Sequence, residues 1–397
     1  MSLPRSLALF GLVALALAGP LGVGADRAHA AAADEATFTF SGRGWGHGVG
    51  MSQWGAYGRA KAGWSAERIL RHYYRGSRVE GGRGGPIRVL LAEGRRRLAV
   101  GAAGGVILTD RSGGGRLRSP AGRGLALVPA DGGGITVLRA GRPPRRSQGP
   151  IDVRAVEAGD AAAFGARRPA RGYRGALRVS RERSGLRVVN QLGLEAYLKG
   201  VVPREMPADW GDDAPAALRA QAIAARSYAL ATRRRGDGFD AYADVRSQVY
   251  GGVAAEDERT SAAVDATRGR VVTHAGRVAT TFFFSTSGGR TEDGANVFGS
   301  DAPYLRSVAD PFDAGSPYHR WPDPPSFGAA RLGRLLGLGE PVAALRVVRR
   351  GRSPRVLEAL VVAVSGARRT MTGAEIRTAL GLRDTWFTVS RTGGGTA

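Results

Sequence analysis

The 397-residue chain contains no cysteine, only two lysines (Lys61 and Lys199), five histidines and four methionines. Without cysteine there can be no disulfide, thiolate zinc site, iron–sulfur cluster or cysteine nucleophile. The histidines, His29, His47, His72, His274 and His319, include no two at metal-ligand spacing, so no metal and no cofactor is expected. A G-x-S-x-G nucleophile elbow is also missing. With lysine so scarce, the formal net charge of +24 is carried almost wholly by arginine. Arginine suits planar contacts with carboxylates and phosphates, so an anionic wall polymer, a membrane surface or a nucleic acid would each be attracted. The arginines are scattered rather than clustered, which favours a solvated basic surface over a dedicated nucleic-acid site. A hydrophobic content of 43% supplies a packed core and excludes global disorder.

Residues 1–30 read as a secretory signal peptide. Arg5 gives the positive n-region, Leu7 to Ala18 the apolar h-region, and Ala28-His29-Ala30 an A-x-A cleavage site. The apolar run is short for a transmembrane helix, and no later segment is apolar enough to span. An exported protein of the cell envelope or cell wall is expected, with no nucleic-acid partner.

Residues 35–80 begin with a strand over Thr37–Phe40, continue into a glycine-rich run, and then carry two short helices, Ser52–Ala62 and Ser65–Tyr74. Residues 81–185 alternate short apolar runs with Gly, Arg and Pro, the pattern of β-hairpins, and form a β-rich insertion or small subdomain. Residues 186–391 form the better-patterned core, and 392–397 a tail. Within that core a helix is expected from about Asp213 to Arg235, with Leu218, Ala222, Ala225 and Ala229 on one stripe of small residues. A hairpin around Ala275-Gly276, a capping box Thr372–Glu375 and a strand Trp386–Val389 follow. Strands and helices are interspersed without a βαβ rhythm, so the fold class is α+β.

Glu205 is the first candidate for chemistry. It lies between Pro203 and Pro207 beside Met206 and Trp210, where fixed backbone and apolar neighbours would raise its pKa toward that of a general acid. The same residues also fit a surface glutamate in a proline-bounded turn. The second candidate is Gly42 to Gln53, with glycine at every second position. As an extended strand it would present Arg43, Trp45, His47, Val49 and Met51 on one face and bare backbone on the other. Trp45 could then stack on a sugar while His47, Ser52 and Gln53 bond its hydroxyls; tight packing between strands is the alternative. Ser247-Gln248 and the loop Ser285 to Gly289, with Ser287 and Gly288, are weaker candidates that also fit plain turns.

Together these segments resemble the stage II sporulation protein D (SpoIID/LytB) family. The resemblance rests on Tyr197 to Pro207, Ala217 to Ala229, Ser247 to Gly252, Phe284 to Thr291, Pro303-Tyr304-Leu305 and Gly44 to Ala56. It covers roughly residues 40–75 and 185–390 and leaves 95–170 aside. It implies a lytic transglycosylase acting on peptidoglycan glycan strands, with Glu205 as the one acid/base and with Gln221 and Arg226 lining the cleft. A second implied reading is a non-catalytic modifier of a cell-wall amidase that binds glycan. In many relatives the G-W-G-H-G-V-G-M-S-Q segment comes last, whereas here it opens the mature chain. The order looks circularly permuted, which requires the Phe38 strand to lie beside the Trp386 strand. Some relatives carry a cysteine-containing metal site that this chain cannot build.

Overall fold

The computed structural model describes residues 36–393 apart from 83, 167–170 and 235. The expected signal peptide, Arg235 at the expected helix end, and residues 394–397 of the tail lie outside the described residues.

The chain is mixed α and β. Helix α1 (Gln53–Lys61) starts where Ser52 Oγ accepts the Gly55 N–H at 3.1 Å, and α2 (Ala66–Tyr73) where Ser65 Oγ accepts that of Arg68 at 3.3 Å. Each serine satisfies one of the amide donors a helix leaves free at its first turn. The next helices are α3 (Leu194–Glu205), α4 (Pro215–Ala231) and α5 (Glu258–Ala266). The last, α6 (Gly373–Leu380), has the reciprocal Thr372–Glu375 capping box expected from the sequence.

Two layers, antiparallel except where 241–242 pairs parallel with 86–95, occupy most of residues 86–193. A seven-stranded sheet runs in the order 241–242, 86–95, 185–193, 176–182, 151–155, 106–110, 115–119. A six-stranded sheet runs 142–147, 135–139, 125–129, 98–101, 162–165, 171–173. Alternation explains why they stack. In the Ile151–Ala155 strand Ile151 and Val153 are buried, while Asp152 meets its register partner Arg178 at 2.8 Å on the other face. Leu98, Val100, Leu127 and Val137 of one sheet join Val106, Leu108, Ile151 and Val188 of the other in a single apolar core. The 185–193 strand lies between 86–95 and 176–182, so residues on both sides of position 185 share one sheet.

Helix α4 sits between two cores. Ala222, Ala225 and Ala229 pack into the sheet core, while Ala217, Leu218, Ala220, Ile223 and Ala224 pack with α1, α2 and Val272 in a second. A helix apolar all round must be covered all round, and small side chains let its neighbours come close. It is shorter than expected: it begins at Pro215 and stops at Ala231, leaving Arg233 and Arg234 past its end.

A third core joins the two ends of the described chain. The Thr37–Gly42 strand pairs antiparallel with Phe387–Thr392, Phe38 opposite Arg391 and Gly42 opposite Phe387, and on its other edge with Ser326–Gly328. The Phe38 strand thus lies beside the strand that follows Trp386. Phe40 is buried edge-on against Phe327 and Phe387, with ring centroids 5.7 and 5.5 Å away. The hairpin at Ala275-Gly276 forms as expected, although its second strand is only Arg277–Val278.

Phe40→Ala should destabilise the protein by about 3–5 kcal/mol, because the two remaining rings cannot collapse fully into the space left. Urea unfolding would register this as a lower midpoint with little change in slope.

Candidate active site

Glu205 closes α3. The turn expected between Pro203 and Pro207 is instead the end of this helix, with Pro203 inside its last turn. A proline there removes one backbone donor, and the helix stops two residues later, at Glu205. Gly200 brings α3 onto the ring of Tyr250: a Cβ at this position would lie 2.6 Å from Tyr250 Cε2. Tyr250 packs in turn against Tyr197, 5.1 Å between centroids, and donates to Asn190 Oδ1 at 3.0 Å. The floor beneath Glu205 is therefore aromatic and fixed.

Burial pushes the Glu205 carboxyl up from its ordinary 4.5 to about 7, opposed only by a hydrogen bond from the backbone of Val249. The phenols of Tyr197 and Tyr228 lie close enough that, after burial, the Glu205 charge raises their pKa further. Tyr197 stands on the i, i+4, i+8 row of α3 that ends at Glu205, a spacing visible in the sequence and missed there. Tyr228 reaches the site from α4. The neighbouring aspartates are engaged elsewhere: Asp212 pairs with Arg259 at 2.9 Å, Asp213 with Lys61 at 2.7 Å, and Asp209 is exposed. Among the described residues Glu205 thus stands as a single carboxyl, half-buried and held near the protonation midpoint at neutral pH.

Arg226 does not line a cleft. It is fully buried, and its guanidinium takes both oxygens of Glu195 at 3.0 and 2.6 Å while donating to the carbonyls of Val264 (3.2 Å) and Arg270 (3.1 Å). The sequence set it apart from the alanine stripe, but α4 is enclosed on every side, so the opposite face is interior as well. Gln221 is fully buried too, two turns before Tyr228 on the same helix face, and neither polar atom of its amide has a hydrogen-bond partner. Gln248 accepts from the Tyr197 hydroxyl at 3.4 Å and keeps an unpartnered Nε2. Ser247 is spent locally, its Oγ accepting the Tyr242 N–H at 3.1 Å.

The glycine run is not an extended strand. Gly44, Gly46, Gly48 and Gly50 all have φ between +78° and +127°, and the segment winds against 282–292 through bridges Trp45–Thr286 and Val49–Glu292. Gly48 shows the reason: a Cβ would fall 2.4 Å from Arg355 Nε. His47 faces no open cleft with a free nitrogen. Its Nδ1 accepts the Val49 N–H at 3.1 Å, so the proton sits on Nε2, which donates to Phe283 O at 3.0 Å. Burial lowers its pKa to about 4, and the ring is neutral at pH 7. Ser52 caps α1, and Gln53 is buried at its first turn. Ser287 accepts the Gly289 N–H on its hydroxyl, and Gly288 donates to Asp313 at 2.6 Å; both hold the loop together rather than point outward. Trp45 is 43% exposed, edge-on to Tyr318 at 4.5 Å, and keeps a face for a ligand.

Residues 182–274, which include α3, Glu205, α4 and the Ser247 turn, match the family model SpoIID, described as stage II sporulation protein. Over these residues the chain carries a SpoIID domain. Stage II sporulation protein D of Bacillus subtilis is 30% identical over 222 residues, covering 52% of this chain and 62% of that protein. The amidase enhancer of Bacillus subtilis is 38% identical over 116 residues, 29% of this chain and 15% of that protein. An uncharacterised protein of Brachyspira hyodysenteriae is 38% identical over 139 residues, 34% of this chain and 37% of that one. The alignments span less than two thirds of each relative's own length.

Two measurements check the site. Because the Glu205 pKa is raised in the folded state, the native protein holds the proton more tightly than the unfolded chain. Stability is then unaffected by this group below pH 4.5, falls between 4.5 and 7, and carries the full penalty above, up to about 3 kcal/mol. Glu205→Gln should therefore stabilise the protein at pH 8 and leave it unchanged at pH 4. Arg226→Leu should cost about 3–5 kcal/mol by stranding Glu195, and adding Glu195→Leu should recover much of that loss. Thermal or urea unfolding reads both.

Proposed function

We propose that this SpoIID-domain protein is a peptidoglycan lytic transglycosylase of the cell envelope, with Glu205 as its acid/base. The observation that carries this reading is a lone carboxyl near pKa 7 with no second carboxylate beside it among the described residues. Hydrolysis of glycosidic bonds ordinarily takes two carboxylates. One suffices when the nucleophile belongs to the sugar. Protonated Glu205 gives its proton to the oxygen linking N-acetylmuramic acid to N-acetylglucosamine, and the C1–O bond breaks. The resulting carboxylate then takes the proton of the muramic acid's 6-hydroxyl as O6 bonds to C1. The anhydro ring closes, Glu205 is protonated again, and no water is consumed.

The phenols of Tyr197 and Tyr228 stay protonated through this cycle and flank the carboxyl as neutral dipoles. The unpartnered amide of Gln221 and the unpartnered Nε2 of Gln248 supply hydrogen-bonding capacity next to this apolar floor, which sugar hydroxyls or the waters they displace would satisfy. Trp45 offers a stacking face further along the 282–288 segment. The net charge of +24 favours residence on anionic wall polymer, and no helix among the described residues is long and apolar enough to cross a membrane.

The likeness to an amidase enhancer supports a second reading, in which the protein binds glycan and modifies a cell-wall amidase without cutting. Digestion of purified glycan strands, read by mass spectrometry, separates the two. The first reading expects anhydro-ended products from the wild type and none from Glu205→Gln, with a rate that falls about tenfold per pH unit above 7 as the acid ionises. Reducing ends would indicate hydrolysis. Glycan binding by both proteins without cleavage would leave the modifier reading.

A further inference from the structure

The two stacked sheets enclose a concavity of about 880 Å3, away from Glu205. It lies in residues 97–163, outside the 182–274 family match, and its walls come from both layers, with Val106 and Ser119 on one side and Ala99, Ala126 and Ala163 on the other. Glycine and alanine dominate the lining, so the space is left open by small side chains in a core that elsewhere fills its gaps. Arg97, Arg123 and Arg139 are the charged residues lining it, and no aspartate or glutamate does. None of the three forms an ion pair among the described residues. Arg139 Nε is shut from solvent with no hydrogen-bond partner. Asp160, next to lining residue Ala161 in the chain, is occupied by the N–H groups of Gly104 and Ala161 at 3.1 and 2.6 Å.

A buried donor without an acceptor, in a cavity of one charge sign, lacks an anion. Guanidinium forks match carboxylates and phosphates alike, so the walls decide between them. A heavily hydrated phosphodiester gains nothing from methyl groups and would surrender its water to enter. A carboxylate ending a short chain of small apolar residues gains on both counts, since its body covers alanine while its charge meets the arginines. We infer that this cavity binds the free carboxylate end of a short peptide with small side chains. The peptide stems of the proposed glycan substrate are such a source; the binding claim stands without that reading, and only the source rests on it.

The test is an NMR titration of residues 36–397 with N-acetyl-trialanine, its C-terminal amide and inorganic phosphate, in the wild type, Arg139→Gln and Arg123→Gln. Expected are saturable shifts at the Ala99, Ala126 and Ala163 amides with the free acid. Each substitution, and amidation of the ligand, should weaken binding about tenfold, as loss of one charged hydrogen bond does. Equal binding of acid and amide, no saturation with the acid, or tighter binding of phosphate would overturn the proposal. Arg123 is exposed, so its substitution leaves the fold intact if Arg139→Gln does not. Glu205→Gln should bind the peptide as the wild type does, which keeps this result separate from any failure of cleavage.

Discussion

The bidentate pair between Arg226 and Glu195 fixes the candidate site more than any other contact does. Glu195 stands in the first turn of α3 and Glu205 at its last residue, about 15 Å along one rigid helix. Arg226 belongs to α4, half a turn before Tyr228, and also binds carbonyls of α5 and of the strand behind it. Clamping the start of α3 to α4 thereby sets where its far end, the carboxyl, meets the Tyr228 phenol. A removed charge would loosen a geometry ten residues away. Burying such a pair is costly in itself, and it is tolerated because every donor of the fork finds an oxygen.

Two more arginines are buried as cross-links, although Arg59 keeps an unpartnered Nε. Arg59 is buried among Asp310, Tyr73 and the Gly55 carbonyl, and Arg355 takes both oxygens of buried Asp384 while donating to Ser287 and Arg290 carbonyls. Arg226, Arg59 and Arg355 are among the largest fully enclosed side chains of the molecule. Each ties together segments far apart in sequence, the task disulfides perform in many exported proteins. A chain with no cysteine and almost no lysine has arginine left for it, and a planar five-donor fork suits the work better than an ammonium.

These buried arginines also mark where sequence reading stops. Local signals were legible where local physics decides: serine and threonine caps at Ser52, Ser65 and Thr372, the hairpin at Ala275-Gly276, the apolar strand at Phe38. At Glu205 the proline and apolar neighbours fitted a desolvated carboxyl and a surface turn alike, and the burial that raises its pKa comes from the fold. Arg226, His47, Ser287 and Gly288 were read as facing a ligand because a sequence does not show that a polar group is already satisfied within the fold, His47 by the Phe283 carbonyl and Arg226 by Glu195 and two carbonyls. The alternating glycines misled for a related reason. Period two implies a strand only where φ is negative, and the need for positive φ at Gly48 comes from Arg355, which no local window contains.

The pairing of Thr37–Gly42 with Phe387–Thr392 has a kinetic side. Closing a contact across about 350 residues is entropically dear but only logarithmically so, and most of that cost falls once the intervening cores have condensed. Until residue 392 has been made, however, the first strand has no partner on that edge, and Asp384 is not yet present to hold Arg355 under Gly48. The glycine run, though among the first described residues to be synthesised, is among the last to be locked. The segment that carries Trp45 is thus left unlocked until residues 384–392 are in place, and a chain ending before them would carry Glu205 on a sound helix with that segment unsecured.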